Sequence, residues 1–473
     1  MSENYFDSKE FKELLQRFEK SERECSSEYF DSDQLMDIAE YYDMLGNVNR
    51  TRQIVEKAIH TFPDSAYPKI FKARMALICD NDSELARDIA SQISDTTDME
   101  YIYLIAEILL YDKQVEKADS YLEKNYADMD EDISSDFVID VATLFADYEI
   151  AEQAEKWLLR STEIQAEDYQ DTLGRIELLK GNYEKSIEIF NQLIDRDPYS
   201  IDYWNHLSTA QYKLGNIPAS LQSCGFALAI NPSNPDATLM QANIYLQAGD
   251  FEQASNIYHK YSQLRPQEET GFLYEAVSMS NLNQHAKALE LYRQAELRCK
   301  KSGETLRDIY HNMAFTLSSL KRQDEAISYA NKILEVSPND RYETAILRGH
   351  IYLECGSTDM ARDAFIEAIN LSDGTPTVFL HIAISASDNG YIEYAYQCLQ
   401  VMFALAPPTW KDGYAYLAMC CKEMGKEKEY LQALQTACQL NPDEARNVFE
   451  YDFPENVNPE DYYKYAIRQN HAQ

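Results

Sequence analysis

Four of the eight histidines recur where their imidazoles would share one surface of the folded chain. His206, His311, His350 and His381 each occupy the fifth, sixth or ninth place of a repeat that is defined below. An imidazole can ligate a metal, carry a proton near neutral pH or form hydrogen bonds with a peptide. A metal needs donor atoms that converge at about 2 Å from one ion, whereas neighbouring helices in a stack lie about 10 Å apart. Metal binding is therefore disfavoured, and peptide contact and a solvated helix face remain equal alternatives.

The rest of the sequence has no spacing typical of a catalytic site. The glycine-rich nucleotide-binding motifs, HExxH and GxSxG are all absent. Because 80 carboxylates make close acidic pairs unavoidable, such pairs carry no weight as a sign of acid–base catalysis. The nine cysteines are scattered without a CxxC, and the adjacent Cys420 and Cys421 lie in an apolar helical stretch, as core thiols do. We expect no catalytic residue, no cofactor and no bound metal.

The charge balance narrows the choice of partners. The net charge is −37, and this negative potential repels nucleic acid phosphates and anionic membrane surfaces. A well-solvated exterior is the simpler explanation of the charge, and attraction of basic partner proteins is the alternative. No apolar run approaches the length that spans a bilayer, and residues 1–7 are too acidic for a secretory signal. These features predict a cytoplasmic protein with protein partners, without membrane insertion and without nucleic acid.

Glycine and proline recur with a period of 34 residues. Gly181, Gly215 and Gly249 show the interval, as do Pro198, Pro232 and Pro266. Twelve repeats can be counted, and seven of the 14 glycines fall at the fifteenth place and seven of the 14 prolines at the thirty-second. Glycine accepts the left-handed backbone that ends a helix, and proline is tolerated just beyond a helix end. The period therefore predicts stacked pairs of helices, a first and a second helix in each repeat.

Side-chain size supports the same counting. The eighth place reads Ala39, Arg74, Ala106, Ala142, Gly174, Ser208, Ala242, Ala276, Ala314, Gly349, Ala383 and Ala418. The twentieth reads Thr51, Ala86, Ala118, Ala154, Ser186, Ser220, Ala254, Ala288, Ala326, Ala361, Ala395 and Tyr430. Only Arg74 and Tyr430 are large. Small residues at a fixed crossing point let two helix axes approach closely.

These places resemble the pattern of the tetratricopeptide repeat (TPR) family. The repeat that fits best reads Trp204, Leu207, Ser208, Gly215, Ala227 and Pro232. The match extends from about residue 32 to residue 444, and the repeats before Glu167 depart from it most. The resemblance implies an all-α fold, an α-solenoid that winds as a right-handed superhelix of about twelve TPR-like units with capping helices. The resemblance is to TPR scaffold proteins of bacterial type, in which the repeats make up the whole chain.

Both ends of the chain are expected to cap the stack. We divide the sequence into an N-terminal capping helix at 1–31, divergent TPR-like repeats at 32–166, regular TPR repeats at 167–444 and C-terminal capping helices at 445–473. Ser8 is a candidate N-cap for the first of these helices, and Asn458, followed by Pro459, for the last.

The fifth, sixth and ninth places of the first helices form or border the stripe next to the core-facing residues. In TPR proteins this stripe lines the concave surface that holds peptides, so the resemblance implies the same use here. The candidate groove residues are Asn205, His206, Leu239, Met240, Asn243, Leu273, Tyr274, His311, Asn312, Phe315, His350 and His381. We expect a non-enzymatic scaffold that binds a peptide or helix of partner proteins. The alternatives are a helical-repeat RNA-binding protein, which the acidic charge disfavours, and an enzyme with an unrecognised site.

Overall fold

The computed structural model describes residues 3–6, 8–24, 28–127, 131–299, 303–450, 452–454 and 457–470. These residues form helices and connecting turns, and no strand is found among them. The all-α fold predicted from the sequence is confirmed. The chain forms two compact units, an amino-terminal unit of Met1–Glu275 and a carboxy-terminal unit of Ala276–Gln473. The division falls inside the helix Thr270–Asn281.

The amino-terminal unit contains the helices up to this division. They are α1 (Glu3–Phe6), α2 (Lys9–Arg23), α3 (Ser32–Met44), α4 (Val48–Thr61), α5 (Ala66–Asp80), α6 (Ser83–Ala90), α7 (Met99–Tyr111), α8 (Val115–Ala127), α9 (Glu131–Asp147), α10 (Ala151–Leu158), α11 (Glu167–Leu179), α12 (Tyr183–Arg196), α13 (Ile201–Lys213), α14 (Ile217–Ile230), α15 (Pro235–Gln247), α16 (Phe251–Leu264) and the start of α17 (Thr270–Asn281).

The carboxy-terminal unit contains the rest of α17 and the helices that follow. They are α18 (His285–Arg298), α19 (Gly303–Ser319), α20 (Gln323–Val336), α21 (Arg341–Glu354), α22 (Thr358–Leu371), α23 (Pro376–Asp388), α24 (Ile392–Leu405), α25 (Tyr414–Glu423), α26 (Glu427–Leu440), α27 (Pro442–Val448), the 3₁₀ helix η1 (Pro459–Asp461) and α28 (Tyr462–Asn470).

Helices pack in chain order as pairs within each unit. Among the described residues, the amino-terminal unit has seven such pairs, from α3–α4 to α15–α16, and the carboxy-terminal unit has four, from α19–α20 to α25–α26. Each pair also contacts the next within its unit, as in an α-solenoid. First helices touch first helices, for example α11 with α13 and α21 with α23. In each unit, the first helices therefore share one face, which we call the first-helix face.

The turn between the two helices of a repeat has a left-handed residue at the fifteenth place in every repeat. Glycine occupies this place at Gly46, Gly181, Gly215, Gly249, Gly356, Gly390 and Gly425, all with positive φ. The other five repeats place Asn81, Lys113, Glu149, Asn283 and Lys321 there, also with positive φ. Loss of the glycine signal in these repeats therefore does not mean loss of the turn, because the packing of the flanking helices holds the strained backbone in place.

The small residues at the eighth and twentieth places are buried where the paired helices cross, as expected. The Ser186 hydroxyl donates to the Gly174 carbonyl at 2.9 Å, and a Cβ on Gly174 would lie 2.8 Å from the ring of Phe190. The register differs in the second repeat. Because α5 begins at Ala66, Ala73 is the fully buried residue there, and Arg74 points aside to Glu107, with 2.9 Å between Nε and Oε2.

Helices outside the pairs cover apolar side chains at both ends of the chain. Ser8 caps α2 by accepting a hydrogen bond from the Phe11 amide at 3.1 Å, and Phe11 and Phe18 are fully buried. At the other end, α28 places Tyr462 in the cluster around Phe449. The Asn458 side chain makes no capping hydrogen bond, since the residues after it form a 3₁₀ turn before α28 starts. The four-part division of the chain remains a prediction.

None of the helices in the described ranges combines the length and the apolar character that a bilayer crossing needs. Within the same ranges, no three His, Cys, Asp or Glu side chains come together in a way that could hold a metal ion.

Candidate functional site

The candidate groove residues divide between the two units. Asn205, His206, Leu239, Met240, Asn243, Leu273 and Tyr274 lie in the amino-terminal unit, and His311, Asn312, Phe315, His350 and His381 lie in the carboxy-terminal unit. Each group is therefore considered within its own unit.

In the amino-terminal unit, several candidate side chains already form hydrogen bonds or ring contacts with other side chains of the same unit. Asn243 Oδ1 accepts a hydrogen bond from the Tyr258 hydroxyl at 2.6 Å, and Tyr258 stacks on Tyr274 with 5.6 Å between ring centroids. Asn205 Nδ2 donates to Asn234 Oδ1 at 3.4 Å. Tyr274 keeps 38% of its surface exposed, and Leu239 and Met240 are partly exposed. Leu273 is only 6% exposed, so it contributes mainly to the core.

His206 sits against Phe190, with 5.1 Å between the ring centroids. Burial, with a smaller contribution from Arg175, lowers the pKa of His206 to about 4, so the imidazole is neutral at physiological pH. Nearby, burial raises the pKa of Asp171 to about 6, and Asp171 Oδ1 is buried without a hydrogen-bond partner among the described residues. This part of the first-helix face presents a neutral imidazole and a poorly solvated carboxyl group.

Acidic residues at the second place of the repeats are a feature that our candidate set omitted. Nine of the twelve repeats have one there: Asp33, Glu100, Asp136, Asp168, Asp202, Asp236, Asp308, Glu343 and Asp412. Burial, together with the charge of Asp236, raises the pKa of Asp202, so the acidic groups of these two successive repeats interact electrostatically. Part of the preference has a local cause, because acids in the first turn stabilise a helix. Reading the second place alongside the fifth, sixth and ninth would have found the series.

The carboxy-terminal unit has a cavity of about 320 Å³ on its first-helix face. Its lining consists of Arg307, His311, Phe315, Ile333, Asp340, Glu343, Thr344, Ile346, Leu347, His350, His381, Ile384, Ser385 and Asp388. Four of the five candidate residues of this unit are thus brought together. Asn312 is not among them, and its Nδ2 donates to the Asp308 carbonyl of its own helix at 2.9 Å.

Aromatic contacts join two walls of this cavity. The ring of Phe315 meets His311 edge-on at 4.9 Å and His350 edge-on at 4.8 Å, measured between centroids. His350 Nδ1 lies 3.3 Å from Asn389 Nδ2, which also donates to the Ser385 carbonyl at 2.8 Å. Because the amide nitrogen donates, Nδ1 must accept, and the ring hydrogen is on Nε2. The same His350 Nε2 lies 3.8 Å from Glu354 Oε2.

Burial lowers the pKa of His350, and likewise the pKa values of His311 and His381. All three imidazoles are therefore neutral at physiological pH, with lone pairs that can accept hydrogen bonds. Burial also raises the pKa of Asp388 from its usual range. The cavity combines an apolar body with neutral imidazoles and carboxylates.

At one side of the cavity, some carboxylates have no ion-pair partner and some buried oxygens have no hydrogen-bond partner among the described residues. Arg307 Nε donates to Asp340, so these two charges are paired. Within the described part of the chain, no lysine or arginine forms an ion pair with Glu343 or Asp388. Glu343 Oε2 and Thr344 Oγ1 are buried without a hydrogen-bond partner in that same part.

Comparison with known proteins points to one family. Family models described as tetratricopeptide repeat match residues 167–200, 212–270, 308–340 and 342–374. The chain is 23% identical over 229 residues to a TPR repeat-containing protein of Methanocaldococcus jannaschii, covering 48% of this chain and 32% of that protein. It is 24% identical over 220 residues to the BBSome complex member BBS4 of Bos taurus, covering 46% of this chain and 41% of that protein. The chain thus spans less than half the length of either curated relative.

One solved structure is similar to part of the chain. The crystal structure of a tetratricopeptide repeat protein from Parabacteroides merdae gives a TM-score of 0.43 at 16% identity, covering 57% of this chain and 99% of that one.

Proposed function

Because the chain is a tetratricopeptide repeat protein, we propose that it is an interaction scaffold whose first-helix face binds a peptide segment or helix of partner proteins. TPR proteins generally mediate protein–protein interactions. The observation that carries the proposal is the cavity of the carboxy-terminal unit, where His311, Phe315 and His350 from two first helices converge. Apolar surface with a few convergent polar groups is the composition expected of a recognition pocket.

The proposal places binding on the first helices because their exposed and partly exposed residues combine aromatic rings with hydrogen-bonding groups. Tyr274, His311 and Phe315 offer ring surfaces, and such side chains contribute strongly to protein interfaces. The bovine relative's place in a named complex is in keeping with this role. We further propose that the protein acts without catalysis and in the cytoplasm.

An enzymatic function is the weaker alternative. Ser385 Oγ lies 3.2 Å from His350 Nδ1, and Glu354 lies beyond the other ring nitrogen, an order of side chains that resembles a hydrolytic triad. The hydroxyl is poorly placed for attack on a substrate, because Ser385 is only 4% exposed. The amide of Asn389 also competes for the same ring nitrogen. Proton abstraction from Ser385 is therefore disfavoured.

Nucleic-acid binding is disfavoured by charge. RNA recognition by helical repeats needs cations that contact phosphates. The second places of the first helices instead carry carboxylates in nine of twelve repeats. An RNA backbone on this face would meet repulsion at most repeats.

Affinity purification of the tagged full chain from its native cells, followed by mass spectrometry, tests the proposal. We expect Phe315→Ala and Tyr274→Ala to reduce recovery of at least one partner. Met360→Ala and Ile366→Ala are the matched controls, because both side chains are about half exposed on α22, a second helix. Equal loss of partners in all four variants, or no loss in any, would count against binding on the first-helix face.

A further inference from the structure

The cavity between α19, α21 and α23 has apolar walls and several buried polar groups. Phe315, Ile346, Leu347 and Ile384 supply apolar surface to its walls. Its volume of about 320 Å³ is at the lower end of the roughly 300–1,000 Å³ usual for small-molecule pockets. An occupant therefore needs an apolar stem of modest size.

The polar groups of the cavity are mostly hydrogen-bond acceptors. Thr344 is only 2% exposed, yet its Oγ1 has no partner among the described residues, and Glu343 Oε2 is in the same condition. The imidazoles of His311 and His381 are neutral and can each accept a hydrogen bond through one nitrogen. A buried polar group without a hydrogen bond raises the free energy of the unbound protein. A ligand that donates hydrogen bonds to these groups removes this cost and therefore binds more tightly.

The charges of the cavity favour a cation over an anion. Arg307, the lining residue with a fixed positive charge, is already paired with Asp340. Glu343 and Asp388 add two carboxylates that no lysine or arginine of the described chain pairs with. The ring of Phe315 is also an aromatic surface that a cation can approach. A carboxylate ligand would be repelled by the same groups.

We propose, building on the peptide binding proposed above, that this cavity is an anchor site for a long aliphatic side chain that ends in a cation, a lysine or an arginine of the bound segment. The aliphatic stem lies against Phe315 and Ile384, and the cationic head donates hydrogen bonds to Glu343 and Thr344. The chain's partners therefore carry a basic residue at the position that enters the carboxy-terminal unit.

Small probes test the cavity directly. Binding of n-hexylammonium, n-pentylguanidinium, 1-hexanol and hexanoate to the full chain is measured by ligand-observed NMR. We expect both cations to bind, 1-hexanol to bind about tenfold more weakly for want of a charge-assisted hydrogen bond, and hexanoate not to bind. The ratio of the two cations distinguishes a lysine pocket from an arginine pocket.

Variants locate the site. Glu343→Gln should weaken n-hexylammonium binding about tenfold, since it removes one charge that faces the ligand. Asp363→Asn makes the same change in net charge on the exposed surface of α22, where the carboxyl is 74% exposed, and should leave binding unchanged. Thr344→Val keeps the shape of the side chain and removes the hydroxyl, so it should weaken binding of both cations. Circular dichroism melting confirms that each variant is folded.

Some outcomes would overturn the inference. These are equal or tighter binding of hexanoate or 1-hexanol, equal effects of Glu343→Gln and Asp363→Asn, or no binding of either cation up to its solubility limit. A screen of arrayed peptides separates this inference from the proposed function. If peptides without lysine or arginine bind as well as those that contain them, the anchor site fails and the scaffold proposal stands. If both cations bind and no peptide or cellular partner is captured, the scaffold proposal fails.

Discussion

The hydroxyl of Ser208 on α13 donates to the carbonyl of Ser220 on α14 at 3.0 Å, and the Ser220 hydroxyl donates back to the Ser208 carbonyl at 2.8 Å. Both residues are fully buried where the two helices cross. The crossing is therefore fixed by size and by a reciprocal pair of hydrogen bonds. Most other repeats place alanine at the same positions and have no such bonds.

The loss of stability on replacing Ser208 should depend more on the size of the new side chain than on its polarity. Ser208→Ala removes the hydrogen bond to the Ser220 carbonyl and the 2.9 Å contact with Cys224 Sγ, and should reduce the free energy of unfolding by about 1 kcal/mol. Ser208→Leu forces extra volume into a closed crossing and should cost about 3 kcal/mol or more. Urea denaturation of both variants gives the comparison. Equal stability of the leucine and alanine variants would show that the crossing is not tightly packed.

Glycine introduced at left-handed turns should stabilise the chain. Lys113 and Glu149 adopt φ of 60° with exposed side chains. A left-handed backbone costs a non-glycine residue about 1–2 kcal/mol, and the added chain entropy of glycine in the unfolded state offsets about 0.4–1 kcal/mol of the gain. Lys113→Gly and Glu149→Gly should each raise the free energy of unfolding by roughly 0.5–1 kcal/mol.

The reverse change supplies the control for these variants. Gly215 has φ of 83° and open space where a Cβ would stand, so Gly215→Ala changes the backbone strain without a clash. It should lower the free energy of unfolding by about 1 kcal/mol. A stable Gly215→Ala together with unstable glycine variants would mean that the turns do not impose the left-handed conformation.

These turns also show what the sequence could predict about the fold. A period of 34 residues is carried by repeated glycines and small crossing residues, so the helix pairs could be counted without a structure. The turns at Lys113 and Glu149 could not be recognised, because long polar side chains give no sign of a left-handed backbone. The sequence also contains no sign that Ala73, instead of Arg74, lies at the helix crossing of the second repeat. One extra residue between the buried Ala73 and the turn residue Asn81 changes the register without changing the composition.

The candidate site was predictable only where it depends on helix periodicity. His311, Phe315, His350 and His381 were found because places five, six and nine of a helix lie near one another. Thr344 and Asp388 were missed, because they reach the cavity through the way in which α19, α21 and α23 pack together. Such contacts depend on helix spacing and rotation, which a repeat pattern does not specify.

His206 should make stability depend on pH. Its pKa is about 4 in the folded chain and near 6.5 when exposed, so the folded state binds fewer protons over this range. The contribution of the neutral imidazole to stability is present above pH 6.5 and is lost as the pH falls towards 4, by roughly 3 kcal/mol. Asp171 acts in the opposite direction, because its pKa of about 6 favours the folded state as the carboxyl gains a proton.

The contribution of His206 is isolated by comparing variants over the same pH range. His206→Asn should be less destabilised on acidification than the natural chain, whereas His60→Asn, on the exposed surface of α4, should follow the natural chain. Free energies of unfolding from urea titrations between pH 7 and pH 5 give the difference. Parallel pH profiles for all three proteins would rule out a titrating His206.

Binding of a cationic probe to the cavity should weaken as the pH falls. The pKa values of His311, His350 and His381 are lowered by burial, so these rings are neutral at pH 7 and gain positive charge only in more acidic solution. The pKa of Asp388 is raised, so the same change brings this carboxylate closer to losing its negative charge. Both effects oppose a cation.

The fixed surroundings of these groups set the size of the effect. Arg307 and Asp340 form an ion pair beside His311, while Glu343 faces His381 and Glu354 lies next to His350. We expect the affinity for n-hexylammonium to fall steadily as the pH is lowered from 8, by about tenfold once one unit charge has been added close to the ligand. The neutral 1-hexanol is the control, and its weaker affinity should stay nearly constant. A flat profile for n-hexylammonium would mean that the imidazoles do not face the bound cation.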